Sequence, residues 1–196
     1  MYRFYLAAVD MLPGILLLIP VYFLLNRVYF HSVRKSISCF LFSCYLCVVY
    51  VLVGLPTVIY IRPEINLNLI PLVGMVDDLK NSFLNVLLFV PLGIMLPILW
   101  KQFKSLKSTV LFGFSTSVII EGLQMLTFRA TDINDLITNT AGAYLGFLCA
   151  KALQRKYHLA GDGKAGEPAV VLFAVFLVMF FAYPFVSAAL WDFVLS

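Results

Sequence analysis

The sequence predicts an all-α fold: a polytopic transmembrane helix bundle of about six spans, with both termini extracytoplasmic. Three observations predict it. The 196 residues are 62% hydrophobic and only 12% charged, with a mean hydropathy of +0.97, whereas soluble domains lie nearer half apolar and a quarter charged. Apolar stretches of the roughly 20 residues that a helix needs to cross a bilayer recur along the chain. Lysines and arginines gather on alternate connections between those stretches, as the positive-inside rule requires of a multi-pass chain. One integral membrane domain over residues 1–196 holds these spans and leaves no length for a separate soluble module.

The spans fall at about 4–26, 37–61, 82–100, 107–127, 132–153 and 169–191. The first contains Asp10, Pro13 and Pro20 and ends in Tyr22 and Phe23. A secretory signal would end in small residues at a cleavage site, so this segment reads as a retained span. The second is nearly all apolar. The third opens with Asn81 and Asn85, four residues apart and so on one face. Phe89, Pro91 and Gly93 follow, and a proline there can kink the helix and free a backbone carbonyl. The fourth and fifth are joined by Thr127-Phe128-Arg129-Ala130-Thr131, which is short enough to make them neighbours. Gly161 to Gly166 reads as a flexible loop before the sixth span, which ends near Trp191 in the aromatic belt, with Asp192 beside it. Residues 62–81 form the longest outer loop, and its Asn66–Pro71 stretch reads as a segment lying at the membrane interface.

Orientation follows from the charges. Arg27, Arg34, Lys35, Lys101, Lys104, Lys107, Lys151, Arg155, Lys156 and Lys164 make ten of the fourteen basic residues and fall on one side. That side is predicted to be cytoplasmic. Asp162 and Glu167 share it. Asp10, Glu64, Asp77, Asp78, Glu121, Asp132, Asp135 and Asp192 fall in the outer half or outside, an asymmetry that insertion does not require, because acidic residues scarcely steer topology. It points to a function on the outer side.

Several classes are disfavoured. Cys39, Cys44 and Cys47 lie in one apolar stretch and Cys149 in another, so they read as packing thiols and not as a disulfide frame. His31 and His158 are too few and too far apart for a zinc site, and no metal or cofactor is expected. There is no Gly-rich phosphate loop, and no basic face interleaved with aromatics for nucleic acid.

The polar residues inside the spans are what apolar packing does not need. At 100° per residue, Gly113, Ser117, Glu121 and Gln124 of the fourth span fall within about 80° of arc. Asp132, Asp135, Asn139, Gly142 and Gly146 of the fifth span do the same. In both, the polar members lie outermost and the small ones deeper. Antiparallel packing should therefore set Gly113 and Ser117 against Gly142 and Gly146 at depth, with carboxylates and amides meeting above, since small residues let membrane helices approach closely. A carboxylate within the bilayer must be paired, protonated or facing water, so Glu121 is the sharpest residue. Arg129 is its nearest basic partner in sequence. The candidate ligand-binding set is Asn81, Asn85, Glu121, Gln124, Arg129, Asp132, Asp135 and Asn139. The structural alternative is a clasp in which these groups satisfy one another, with Asp132 as N-cap accepting the Asp135 amide hydrogen. Three carboxylates outnumber one arginine, and that excess favours a ligand, a proton or a cation entering. Asp10 is expected to reach the interface instead of joining the cluster.

Asn85-Val-Leu-Leu-Phe-Val-Pro-Leu-Gly93, Glu121-Gly-Leu-Gln124 and the run from Arg129 through Asp132, Asp135 and Asn139 to Gly142 and Gly146 resemble the VanZ-like family. Asn68-Leu-Ile-Pro71 also fits its pattern, so the likeness covers about residues 66–150. The resemblance implies a bacterial cell-envelope protein, multi-pass in the cytoplasmic membrane, that is an accessory to glycopeptide resistance and is associated with teicoplanin and lipoglycopeptides.

Three functions compete. A binding or remodelling protein would use its acidic pocket on a lipid-anchored envelope component or a cationic, lipid-tailed antibiotic of the outer leaflet. An intramembrane enzyme acting on lipid-linked cell-wall precursors would use Glu121, Asp132 and Asp135 as acid and base, with Arg129 clamping a phosphate. It lacks an evident nucleophile, and the sequence leans against catalysis. A small transporter ranks last, because the inner halves of the spans lack polar residues. Membrane lipids are the partners common to all three. The oligomeric state is left open.

Overall fold

With no water in the hydrocarbon layer, a spanning chain must satisfy its backbone internally, and helices are the way an apolar sequence of this kind does so. The computed structural model describes residues 2–63, 67, 68, 70, 71, 79–127, 131–157 and 161–195, with side chains from Asp10 to Phe193 except Leu67. Its helices are α1 (Tyr2–Leu25), α2 (Val33–Leu52), α3 (Leu79–Leu99), α4 (Leu106–Gln124), α5 (Ile133–Tyr157), α6 (Glu167–Leu177) and α7 (Tyr183–Leu195). A π-helical turn, Asn26–Phe30, extends α1, and another, Val178–Ala182, joins α6 to α7 as one long rod. The protein is an all-α membrane bundle.

Among the described residues, five helical stretches are long and apolar enough to cross a bilayer: Asp10–Phe30, Val33–Leu52, Leu79–Leu99, Leu106–Gln124 and Glu167–Phe193. The remaining predicted span, α5, has 25 residues but is not among them. Asn134, Asp135, Thr138 and Asn139 crowd its first turns, and Lys151, Arg155 and Lys156 its last. Asn134, Thr138 and Asn139 are buried, so neighbouring helices and not lipid receive this polarity. The second span also differs from expectation: it stops at Leu52 and does not run on to residue 61. Gly54 takes a positive φ of 63° and Pro56 cannot donate to a helix, so apolarity continues past Leu52 while the helix cannot.

The chain divides into two compact units. The first comprises Met1–Ile61 and Gly166–Ser196 and holds α1, α2, α6 and α7. Its helices are joined by buried and half-buried polar contacts. Tyr22 donates to the Cys39 carbonyl at 3.0 Å, and Asn26 Oδ1 accepts from the Ser32 amide and the Ser36 hydroxyl at the entry to α2. Trp191 Nε1 donates to Asp10 Oδ1 at 2.7 Å, so Asp10 is held by an indole. The π turn before α7 has a legible cause. Pro184 has no N–H for the carbonyl of Phe180 four residues back, and the Val58 amide supplies the missing donor at 2.9 Å.

The second unit, Arg62–Ala165, holds α3, α4 and α5. Asn85 meets Asp135 at one end of α3 and α5, and the Pro97 carbonyl meets Gln154 at the other, so these two helices run parallel. α4 runs antiparallel to α5. The glycines sit differently from the expected arrangement. Gly142 lies against the Val86 carbonyl, and Gly146 against the Val90 carbonyl and Gly93, so both face α3. Gly113 of α4 instead meets Ala143. The stripe on α5 straddles two interfaces because α5 is flanked by two helices, which a pairwise reading of α4 and α5 does not show. Gly93 supplies the close approach on α3. A side chain there would overlap the backbone of Ala143, which is why glycine is required.

Two further features depart from an all-helical reading. Leu67–Asn68 pairs in parallel with Thr131–Asp132, and the Arg62 amide donates to the Leu126 carbonyl at 2.8 Å. Residues expected to lie along the interface are thus partly stitched to the connection between α4 and α5. The phenylalanines also divide: Phe23, Phe83 and Phe185 are exposed like lipid-facing residues, whereas Phe42 and Phe89 are fully buried.

Candidate functional site

The end of the second unit where α3 and α5 begin and α4 finishes carries the polar tier. Glu121, in the last turns of α4, is only 6% exposed. Its Oε2 accepts the Asp132 amide hydrogen at 3.0 Å, and its own carbonyl accepts from the Thr131 hydroxyl at 3.1 Å. One residue therefore serves both the orphan donors entering α5 and the orphan carbonyls leaving α4.

Asp132 closes the start of α5. Its Oδ1 accepts the Asn134 amide hydrogen at 2.8 Å, a two-residue Asx turn at the start of the helix. Its Oδ2 accepts from the Asn68 side chain at 3.1 Å. One turn deeper, Asp135 Oδ1 accepts from Asn85 Nδ2 at 2.7 Å. A turn below that, Asn139 Nδ2 donates to Ser117 Oγ at 2.9 Å. Ala143 and Gly113 then follow. The periodicity of 3.6 residues turns a stripe in the sequence into successive layers, from acidic to amide to apolar.

Asn139 has an unusual environment. It is 4% exposed, and among the described residues its buried Oδ1 has no hydrogen-bond partner. Buried polar atoms are nearly always paired, and leaving one unpaired costs about 1–3 kcal/mol. Among the described residues, no three His, Cys, Asp or Glu side chains come together as a metal site would require.

Of the predicted residues, Asn85, Glu121, Asp132, Asp135 and Asn139 come together in these layers. Gln124 is buried beside them on α4, and Asn81 lies exposed in the first turn of α3. Arg129, with Glu64, Asn66, Asp77, Asp78 and His158, lies outside the described residues. Sequence reasoning missed two partners. Asn68 enters the sequence reading as part of an interfacial segment and of the family pattern, and its place opposite Asp132 depends on a strand pairing between residues 64 positions apart. Ser117 was read as a small packing residue. Its position one turn before Glu121 on the same face was the signal that it could be a polar partner.

The VanZ/LLP1 family model matches residues 40–154, which run from within α2 through nearly all of α5. Protein VanZ of Enterococcus faecium is 34% identical over 82 residues, a match covering 41% of this chain and 50% of that protein. The chain thus spans about half the length of this curated relative. No solved structure matches.

Proposed function

The chain belongs to the VanZ/LLP1 family, and from that premise we propose that it is a glycopeptide-resistance protein of the bacterial cytoplasmic membrane whose polar tier binds or remodels a component of the outer leaflet. The component is a lipid-anchored envelope precursor or a cationic, lipid-tailed antibiotic of the teicoplanin type. One observation carries the reading. Three carboxylates and three asparagines from four separate segments converge at one end of a three-helix unit, and a buried acceptor on Asn139 is left over. A spare acceptor at that depth gives a ligand's donor hydrogen a place to bond, which supports a site over a closed clasp. The polar tier is taken to face outward because the lysine-rich ends of the same helices are at the opposite end, as the positive-inside rule places them.

The test is protection of a susceptible Gram-positive host against teicoplanin. Glu121→Gln and Asp135→Asn keep shape while removing charge, and their membrane abundance is followed by immunoblot. Both are expected to lose most of the protection at unchanged abundance. Full protection by both variants would refute the proposal.

A further inference from the structure

A second site lies in the same unit, away from the polar tier. A groove of about 560 Å³ runs between α4 and α5, lined by Lys107, Val110, Leu111, Phe114, Thr140 and Tyr144 among others. That volume is in the range of small-molecule sites. Its origin is in the packing. The two backbones approach closely where Gly113 meets Ala143 and where Ser117 meets Asn139. To one side, Leu111, Phe114 and Tyr144 stand out from the two helices as walls, being 57%, 42% and 43% exposed. The Thr140 hydroxyl turns back to the Leu136 carbonyl at 2.7 Å, so it is already satisfied by its own helix. The floor is therefore apolar.

The two ends of the groove differ. Lys107 lies at one end, in the first turn of α4. Antiparallel register, fixed by Ser117 opposite Asn139 and Gly113 opposite Ala143, brings Lys151 level with the start of α4 at about 1.5 Å per residue. Lys104, Lys107 and Lys151 are all exposed there. Asp162 is the sole carboxylate in residues 93–120 and 143–165. Cations at a helix N-terminus oppose the helix dipole, so an anion bound here would balance both. The other end, at Phe114 and Thr140, reaches toward the middle of the helices and carries no charge.

We infer that this groove seats one acyl chain of an anionic phospholipid, with Lys107 and its neighbouring lysines against the headgroup phosphate. The chain gains little from apolar burial, because it leaves one hydrocarbon environment for another. Shape retains the chain, and charge selects the headgroup. A neutral lipid fits the groove equally well but does not answer the lysines.

The experiment uses the full chain in nanodiscs of equal phosphatidylglycerol and phosphatidylcholine, with lipids retained after detergent transfer counted by native mass spectrometry. The wild type is expected to keep phosphatidylglycerol in clear excess over its bulk share. Lys107→Gln should lower that excess roughly fivefold, the change that follows from about 1 kcal/mol per basic residue near an anionic surface. Val110→Trp, which fills the groove, should lose retained lipid of both kinds. Ile119→Trp, an exposed position outside the groove, should change neither. Circular dichroism and elution volume check the fold of each variant, and Lys107→Gln, a surface change, keeps the test decisive if Val110→Trp aggregates. Retained lipid in the bulk ratio would overturn the inference. So would loss with Lys107→Gln but none with a folded Val110→Trp, which would leave only diffuse surface attraction.

Discussion

Removing the hydrogen bond between Asn85 and Asp135 separates structure from charge within the polar tier. It ties α3 to α5 at 2.7 Å, and both side chains are half-buried. Hydrogen bonds to charged groups contribute about 1.5–3 kcal/mol in soluble proteins, while interhelical bonds in bilayers average about 0.6 and reach about 1.7 kcal/mol. A short bond to a carboxylate near the end of the helices belongs at the upper part of the bilayer range, so a coupling of about 1–1.5 kcal/mol is expected. Asn85→Ala, Asp135→Ala and the double variant form the cycle, with unfolding measured by steric trapping in bicelles. Asp135→Asn in place of the alanine keeps the shape and reports what the charge adds. A coupling near 0.6 kcal/mol would rank it with the average interhelical bond in a bilayer. A coupling below about 0.3 kcal/mol, the level at which independent sites simply add, would refute the claim that these residues act as a pair.

Two other outcomes follow. Gly146→Leu should destabilise the second unit by about 3 kcal/mol or more, because its side chain meets the Val90 carbonyl and Gly93 and the helix backbones must separate; Gly122→Ala, with nothing within 4 Å, should be neutral or gain up to about 1 kcal/mol, and equal melting temperatures for the two would contradict the packing. In the first unit, Lys35 pairs at 3.3 Å with Glu167, whose side chain is 4% exposed against 24% for the lysine. Lys35→Met should therefore cost about 3 kcal/mol, toward the lower end for breaking a buried pair, and more than Glu167→Gln, which leaves the better-solvated partner behind; the reverse order in thermal denaturation would show that burial does not govern this pair.

The sequence made some of this legible and not the rest, for physical reasons. Helix periodicity and the cost of lipid-exposed backbone are local constraints, so the helices and the clustering of Glu121, Asp135 and Asn139 on inward faces could be read from spacing alone. Which neighbour a face meets is not local. Gly142 and Gly146 were matched to α4, yet they touch α3, since an arc of about 80° is wide enough to serve two partners at once. Asn68 could not be placed because a two-residue strand pairing leaves no periodic trace. The end of α2 was misjudged because apolarity measures lipid compatibility, whereas Gly54 and Pro56 decide whether the helix continues. α5 shows the converse: it is too polar to count as a span on composition, and its polar faces are buried against other helices.

The same point bears on the competition between clasp and site. If mutual satisfaction were the only purpose of the tier, apolar residues of matching volume would serve α3 to α5 as well or better, since replacing both partners of a buried polar pair is often neutral or stabilising. The bonds at Glu121, Asp132 and Asp135 can be explained either way, because each one also caps a helix end or joins two helices. Asn139 joins α5 to α4 through Ser117, and among the described residues its oxygen meets no donor, which is the feature a binding role for the tier would use.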